Sequence, residues 1–109
     1  MVVSIDQLRA GVKKYVETEI AGKATGVVKF LAYFMLPSID KGVVDYINKA
    51  KESPIFSEMF NENGHVMIDE VYNRAVFAMD KSGKVLIDKF NLTLDRTDVE
   101  KLYQYVKGA

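Results

Sequence analysis

The sequence predicts a mainly α fold, a compact bundle of four to six helices with a small two-stranded β element near the carboxyl end. Three observations carry this. Apolar residues recur every three or four positions through most of the 109 residues. Pro37, Pro54 and the glycines at 22, 26, 64 and 83 punctuate that pattern at helix-length intervals. The period then shortens to two over Val85, Ile87, Phe90, Leu92 and Leu94. No Ser-, Gly- or Pro-rich linker interrupts the order, so residues 1–109 read as a single helical domain.

Ser4 followed by Gln7 is a capping-box start. Ile5, Leu8, Val12, Tyr15, Val16 and Ile20 then share one face of a helix over about 5–20. Gly22 and Gly26 favour a break through Ala21 to Thr25, more so than a small-residue packing motif. A second helix follows from about Thr25 to Leu36. Its Val27, Val28, Phe30, Leu31, Tyr33, Phe34, Met35 and Leu36 are apolar nearly all round, which a helix with one wet face cannot be. It is therefore either the central core helix or a helix covered by a partner, and the least exposed element of the functional form. On that reading Leu31→Asp or Phe34→Asp costs several kcal/mol, whereas His65→Ala costs little.

Pro37 is expected to end this helix and push Leu36 toward extended geometry, with Ser38 capping a third helix striped by Ile39, Val43, Val44 and Ile47. Ser53-Pro54 starts a short helix through Phe56, Met59 and Phe60, and Asn61-Glu62-Asn63-Gly64 is a turn. Ile68, Val71, Tyr72, Ala75, Val76 and Met79 form the next helical stripe, capped by Lys81-Ser82-Gly83. Asp95 with Asp98 opens a last helix carrying Val99, Leu102, Tyr103 and Val106, ended by Gly108. The segment from Gly64 to Val71 echoes that from Gly83 to Phe90. Val66–Ile68 and Val85–Ile87 are thus either two short strands that pair or turn-plus-apolar segments alike by chance.

Composition bounds the chemistry. Fifteen Lys plus Arg balance fifteen Asp plus Glu, so no basic face draws the chain toward nucleic acid. Without cysteine there is no disulfide scaffold, thiolate metal site or thiol nucleophile, which fits a reducing compartment. No basic region leads into an apolar stretch at the amino terminus, so no secretory signal is expected. The apolar run Val27 to Leu36 is half the length of a membrane span. At 12.3 kDa the chain would expose roughly 18,000 Å² unfolded and roughly 6,000 Å² folded, which leaves room for a core.

The reactive side chains give no constellation. With Gly64 at position six of a calcium loop, Asn61, Asn63 and Glu70 fall at three, five and twelve, but position one is Met59, which offers no oxygen. The sister segment has Ala78 and Lys89 at the first and last ligand positions. His65 is the only imidazole and lies in a polar turn, where water is its usual partner. Asp69-Glu70 and Asp95 with Asp98 have helix-cap roles. No phosphate-binding glycine loop and no glycine-flanked nucleophile occurs. No catalytic residue, metal ligand or cofactor is assigned.

Ile68-Asp69-Glu70-Val71-Tyr72, a helix running to Gly83, an apolar extended stretch and Asp95-x-x-Asp98-Val99-x-x-Leu102-Tyr103 together resemble small uncharacterised proteins encoded by bacteriophages and prophages of Gram-positive bacteria. The resemblance implies a phage-encoded helical protein that acts in an assembly or a host interaction, in the bacterial cytoplasm or associated with the phage. It carries no functional residue over.

The expected function is accordingly a small helical interaction or assembly protein without catalytic activity, associating with itself or with a protein partner. Phe30, Tyr33, Phe34 and Tyr105 are the candidate interface residues. Tyr105 joins them because it cannot share one narrow face with Tyr103 and so stays partly exposed. Two alternatives remain. One is a small enzyme in which His65, Asp69 and Glu70 meet in a cleft; the other is a protein that binds an apolar ligand or a membrane surface through its second helix.

Overall fold

A computed structural model describes residues 1–79, 83–87 and 92–109. Among them are five α-helices and two small antiparallel β pairs, the mainly helical architecture expected. The order is β1 (Val2–Val3), α1 (Ile5–Tyr15), a π-helical segment (Val16–Ala21), α2 (Gly26–Phe34), α3 (Leu36–Glu52), a 3₁₀ turn (Phe56–Met59), β2 (Val66–Met67), α4 (Ile68–Met79), β3 (Lys84–Ile87), β4 (Leu92–Asp95) and α5 (Arg96–Gly108).

The caps follow local chemistry. The Gln7 amide donates to Ser4 Oγ at 3.0 Å, and Asp95 with Asp98 forms both arms of a capping box at α5. At α1 the second arm is not made. The Gln7 side chain reaches across instead, donating to the carbonyls of Val106 at 3.1 Å and Lys107 at 3.5 Å in the last turn of α5, where the Val106 carbonyl also accepts from the Ala109 amide at 3.4 Å.

Helix one, expected over about 5–20, runs to Ala21, and its last six residues are π-helical. Their wider i→i+5 turn puts both Val16 and Ala21 on the buried side. The Gly22–Gly26 break is present, and Gly26 adopts a positive φ of 59°.

Pro37 departs from expectation. Leu36 is helical and Pro37 sits in the first turn of α3, where its missing N–H is one that the helix could not have used. Ser38 lies inside α3 and is not its cap. Only Met35 separates α2 from α3, and the hydrogen bonds from Met35 N to Leu31 O and from Ile39 N to Met35 O carry the chain through a kink.

The two echoing segments are both strands, with partners other than each other. Val66–Met67 pairs with Val2–Val3, and Lys84–Ile87 with Leu92–Asp95 in the register Val85 to Leu94 and Ile87 to Leu92. The Asn61–Gly64 turn forms, with Gly64 at φ 74° and Asn61 Oδ1 accepting from the amides of Asn63 and His65. Lys81, Ser82 and Phe90, expected in a cap and a strand, lie outside the described residues.

The core has two connected parts. Val3, Val66, Ile68 and Val106 pack with Ile5, Leu8, Phe60, Val71 and Tyr103; Met79, Leu94 and Val99 pack with Tyr72, Ala75 and Leu102. Thus α1, α4, α5 and the amino-terminal strand close the interior. The second helix is not the central core helix of the chain taken singly: α2 has no buried residue and is the most exposed apolar element. It is only nine residues long, held between the Gly22–Gly26 break and the Met35 kink, and it packs chiefly on the π segment that leads into it.

Candidate functional site

The exposed α2 divides into faces. Val27, Phe30 and Phe34 are 73%, 69% and 72% exposed and form an outward stripe at spacings of three and four. The Phe30 and Phe34 rings stack with centroids 6.3 Å apart and planes 19° from parallel. Lys29 is the only charged residue in the helix.

Val28, Leu31, Ala32 and Met35 face another way. With Val12 and Tyr15 of α1, Val16 and Ile20 of the π segment, Ile39, Val43 and Tyr46 of α3, and Leu94 and Leu102 from the carboxyl-terminal half, they line a groove of about 390 Å³. None of these lining residues carries a charge; tyrosine hydroxyls are their only polar side-chain atoms. The groove exists because the three elements beneath α2 present apolar stripes that α2 covers only in part.

A second, more polar groove of about 500 Å³ adjoins it through Val12 and Ile39. Tyr33, Leu36 and Pro37 form one wall, and Asp6, Arg9, Lys13 and Asp40 the other. Arg9 binds Asp40 through a two-pronged contact of 2.9 and 2.7 Å, which holds the Asp40 carboxyl below the usual carboxylate range and raises the guanidinium further. With its charges matched in this way, the pair serves as a clamp between α1 and α3.

Tyr105 is half-buried and apart from the other three interface candidates. Its ring meets Tyr15 edge-on at 6.0 Å, and its hydroxyl donates to Glu19 Oε1 at 3.1 Å. Glu19 also accepts from Lys23 and from Lys101, at 3.4 Å for the latter, and these partners lower its pKa. Phe30 and Phe34 are thus brought together, Tyr33 lies on a neighbouring face, and Tyr105 ties α5 to the π segment.

The residues weighed for catalysis are held by separate partners. Asp69 accepts from the Met1 ammonium and from the Tyr103 hydroxyl, contacts that pull its carboxyl below the ordinary range. Glu70 accepts from Arg74 at 3.1 Å, while the same guanidinium reaches Glu58 at 3.0 Å and the Ile55 carbonyl at 3.3 Å. His65 is exposed, and no hydrogen bond joins its imidazole to either carboxylate. Among the described residues no three His, Asp or Glu side chains gather as a metal site, and no helix is long and apolar enough to cross a membrane.

The groove walls from α1, α3 and α5 were not singled out from the sequence. Val12, Tyr15, Val16, Ile39 and Val43 carry the same periodic signal as core residues; Tyr15 and Val16 are buried at the base of the groove, and only the partial cover of α2 leaves Val12, Ile39 and Val43 half-buried.

Comparison with family models, with curated proteins and with solved structures finds no match to this chain. The class that fold and site define is a mainly helical protein with an apolar, incompletely covered helix.

Proposed function

We propose that this chain is a non-catalytic interaction protein that self-associates through α2. The observation that carries this reading is the exposure of seven large apolar side chains between Val27 and Met35, with Lys29 the one charge among them. At the exposures found, the large side chains of this stretch present roughly 700–800 Å², close to the approximately 800 Å² that each partner contributes to a standard interface. Monomeric proteins rarely show apolar patches above about 300–600 Å².

The total surface supports the same reading. It is 7146 Å², about 1,000 Å² more than a folded monomer of this mass normally shows. The resemblance of the carboxyl-terminal half to phage- and prophage-encoded proteins supports an assembly or host-interaction setting.

Size-exclusion chromatography with light scattering at micromolar concentration tests the proposal. An oligomer that dissociates on dilution, with a melting temperature that rises with concentration, is the expected result. A constant 12.3 kDa species across the range overturns it.

A further inference from the structure

We propose that two copies join about a two-fold axis so that the stacked Phe30–Phe34 pair of each seats in the apolar groove of the other. This rests on the self-association reading above and specifies its geometry. The phenylalanine stripe and the groove-facing stripe of Val28, Leu31, Ala32 and Met35 are centred about 120° apart around α2 at the usual 100° per residue. One helix therefore carries both a projection and one wall of a recess.

Volume favours this occupant. An apolar cavity of about 150 Å³ accommodates one benzene, so two rings require about 300 Å³. The groove offers about 390 Å³, and the rings are already stacked with centroids 6.3 Å apart. The chemistry agrees, because no charged lining residue would lose its water when the rings enter.

Area decides between this and a simple face-to-face pairing of the two α2 helices. Face-to-face packing covers Val27, Phe30 and Phe34 but leaves Val28, Leu31 and Met35 lining two open grooves. Reciprocal insertion covers both stripes, which hold most of the roughly 700–800 Å² exposed on this stretch, and only then does the contact approach standard size. Each ring pair meets the groove and each groove the ring pair, the self-complementary arrangement that a closed dimer needs.

Complementation tests the geometry. Phe30→Gln/Phe34→Gln removes the projection at exposed positions, and Ala32→Trp fills the recess from α2. Should Ala32→Trp fail to fold by circular dichroism, Val43→Phe fills the same space from α3. Wild type is expected to run as a dimer, and each variant alone to dissociate at least about 100-fold more readily. An equimolar mixture should recover a heterodimer of intermediate affinity, since one intact ring pair then meets one intact groove.

A recess-filled variant that dimerises like wild type, a mixture that recovers nothing, or a wild-type mass that grows beyond two copies overturns the insertion and leaves self-association standing. A wild type that is monomeric throughout overturns both. If that monomer also takes up the amphiphilic dye 1-anilinonaphthalene-8-sulfonate, whose aromatic rings seek apolar sites, and Ala32→Trp blocks the uptake, the groove holds a small molecule instead.

Discussion

Gly11 of α1 lies against Val106 of α5 so closely that a β-carbon on the glycine would stand 2.5 Å from the Val106 Cα and 2.8 Å from its Cγ2. Val106 is only 1% exposed. The Gln7 side chain, donating to the Val106 carbonyl, adds a polar contact to this close crossing of α1 and α5. Gly11→Ala should therefore destabilise by about 1–3 kcal/mol, although alanine is the better helix former by about 1 kcal/mol. Gly108→Ala, with open space around the added carbon, should change stability by no more than about 0.5 kcal/mol. Urea midpoints of the two variants, measured side by side, check the contrast.

The placement of α2 reverses the sequence-based expectation for Phe34. Its ring is largely in water in the single chain, so Phe34→Asp should alter the folding free energy of dilute protein by about 0.5 kcal/mol or less. Val106→Asp puts a carboxylate into the sealed interior and should cost several kcal/mol, comparable with the roughly 5–15 kcal/mol of a whole domain. Thermal unfolding at low protein concentration distinguishes the two. A Phe34→Asp chain that is unfolded when dilute would return α2 to the core.

Asp69 predicts an acid-sensitive contact between the amino terminus, α4 and α5. Its pKa is lowered by the Met1 ammonium first and the Tyr103 hydroxyl second. The stabilisation is thus fully present above the ordinary value of 3.8 and fades as pH falls through the depressed value in the folded chain. Asp69→Asn should lower the melting temperature near neutral pH and flatten its decline on the acid side. Melting curves from pH 7 down to about 2 measure both effects.

At the alkaline end Tyr15 is the sensitive group. Burial, reinforced by the negative charges of Asp98, Glu19 and Asp95, pushes its hydroxyl up to about 12 from 10.0. The folded chain prefers the neutral phenol, so this contribution is whole below pH 10 and is lost as pH rises toward 12. Spectrophotometric titration should show Tyr15 ionising late or only with unfolding, beside Tyr103, whose hydroxyl is also raised, chiefly by its bond to Asp69; Tyr15→Phe should remove the Tyr15 component alone and raise the alkaline unfolding midpoint.

Periodicity, capping and turn chemistry act within a few residues of chain, and by themselves they determined the helical class, the Ser4 and Asp95 starts, the Gly22–Gly26 break, the Asn61–Gly64 turn and the extended pieces after Gly83. Tertiary structure alone decided which apolar surfaces meet. Val2–Val3 became the partner of Val66–Met67, Pro37 was taken into α3, and Gln7 was drawn from its own helix to the end of α5. The same distinction governs α2: its apolar circumference states that the surface costs free energy in water, a local property of its side chains. Whether that surface is covered depends on the space left by α1, α3 and α5, which no local pattern encodes. In this fold those helices close the core without it, leaving Phe30 and Phe34 exposed and a groove beneath the helix.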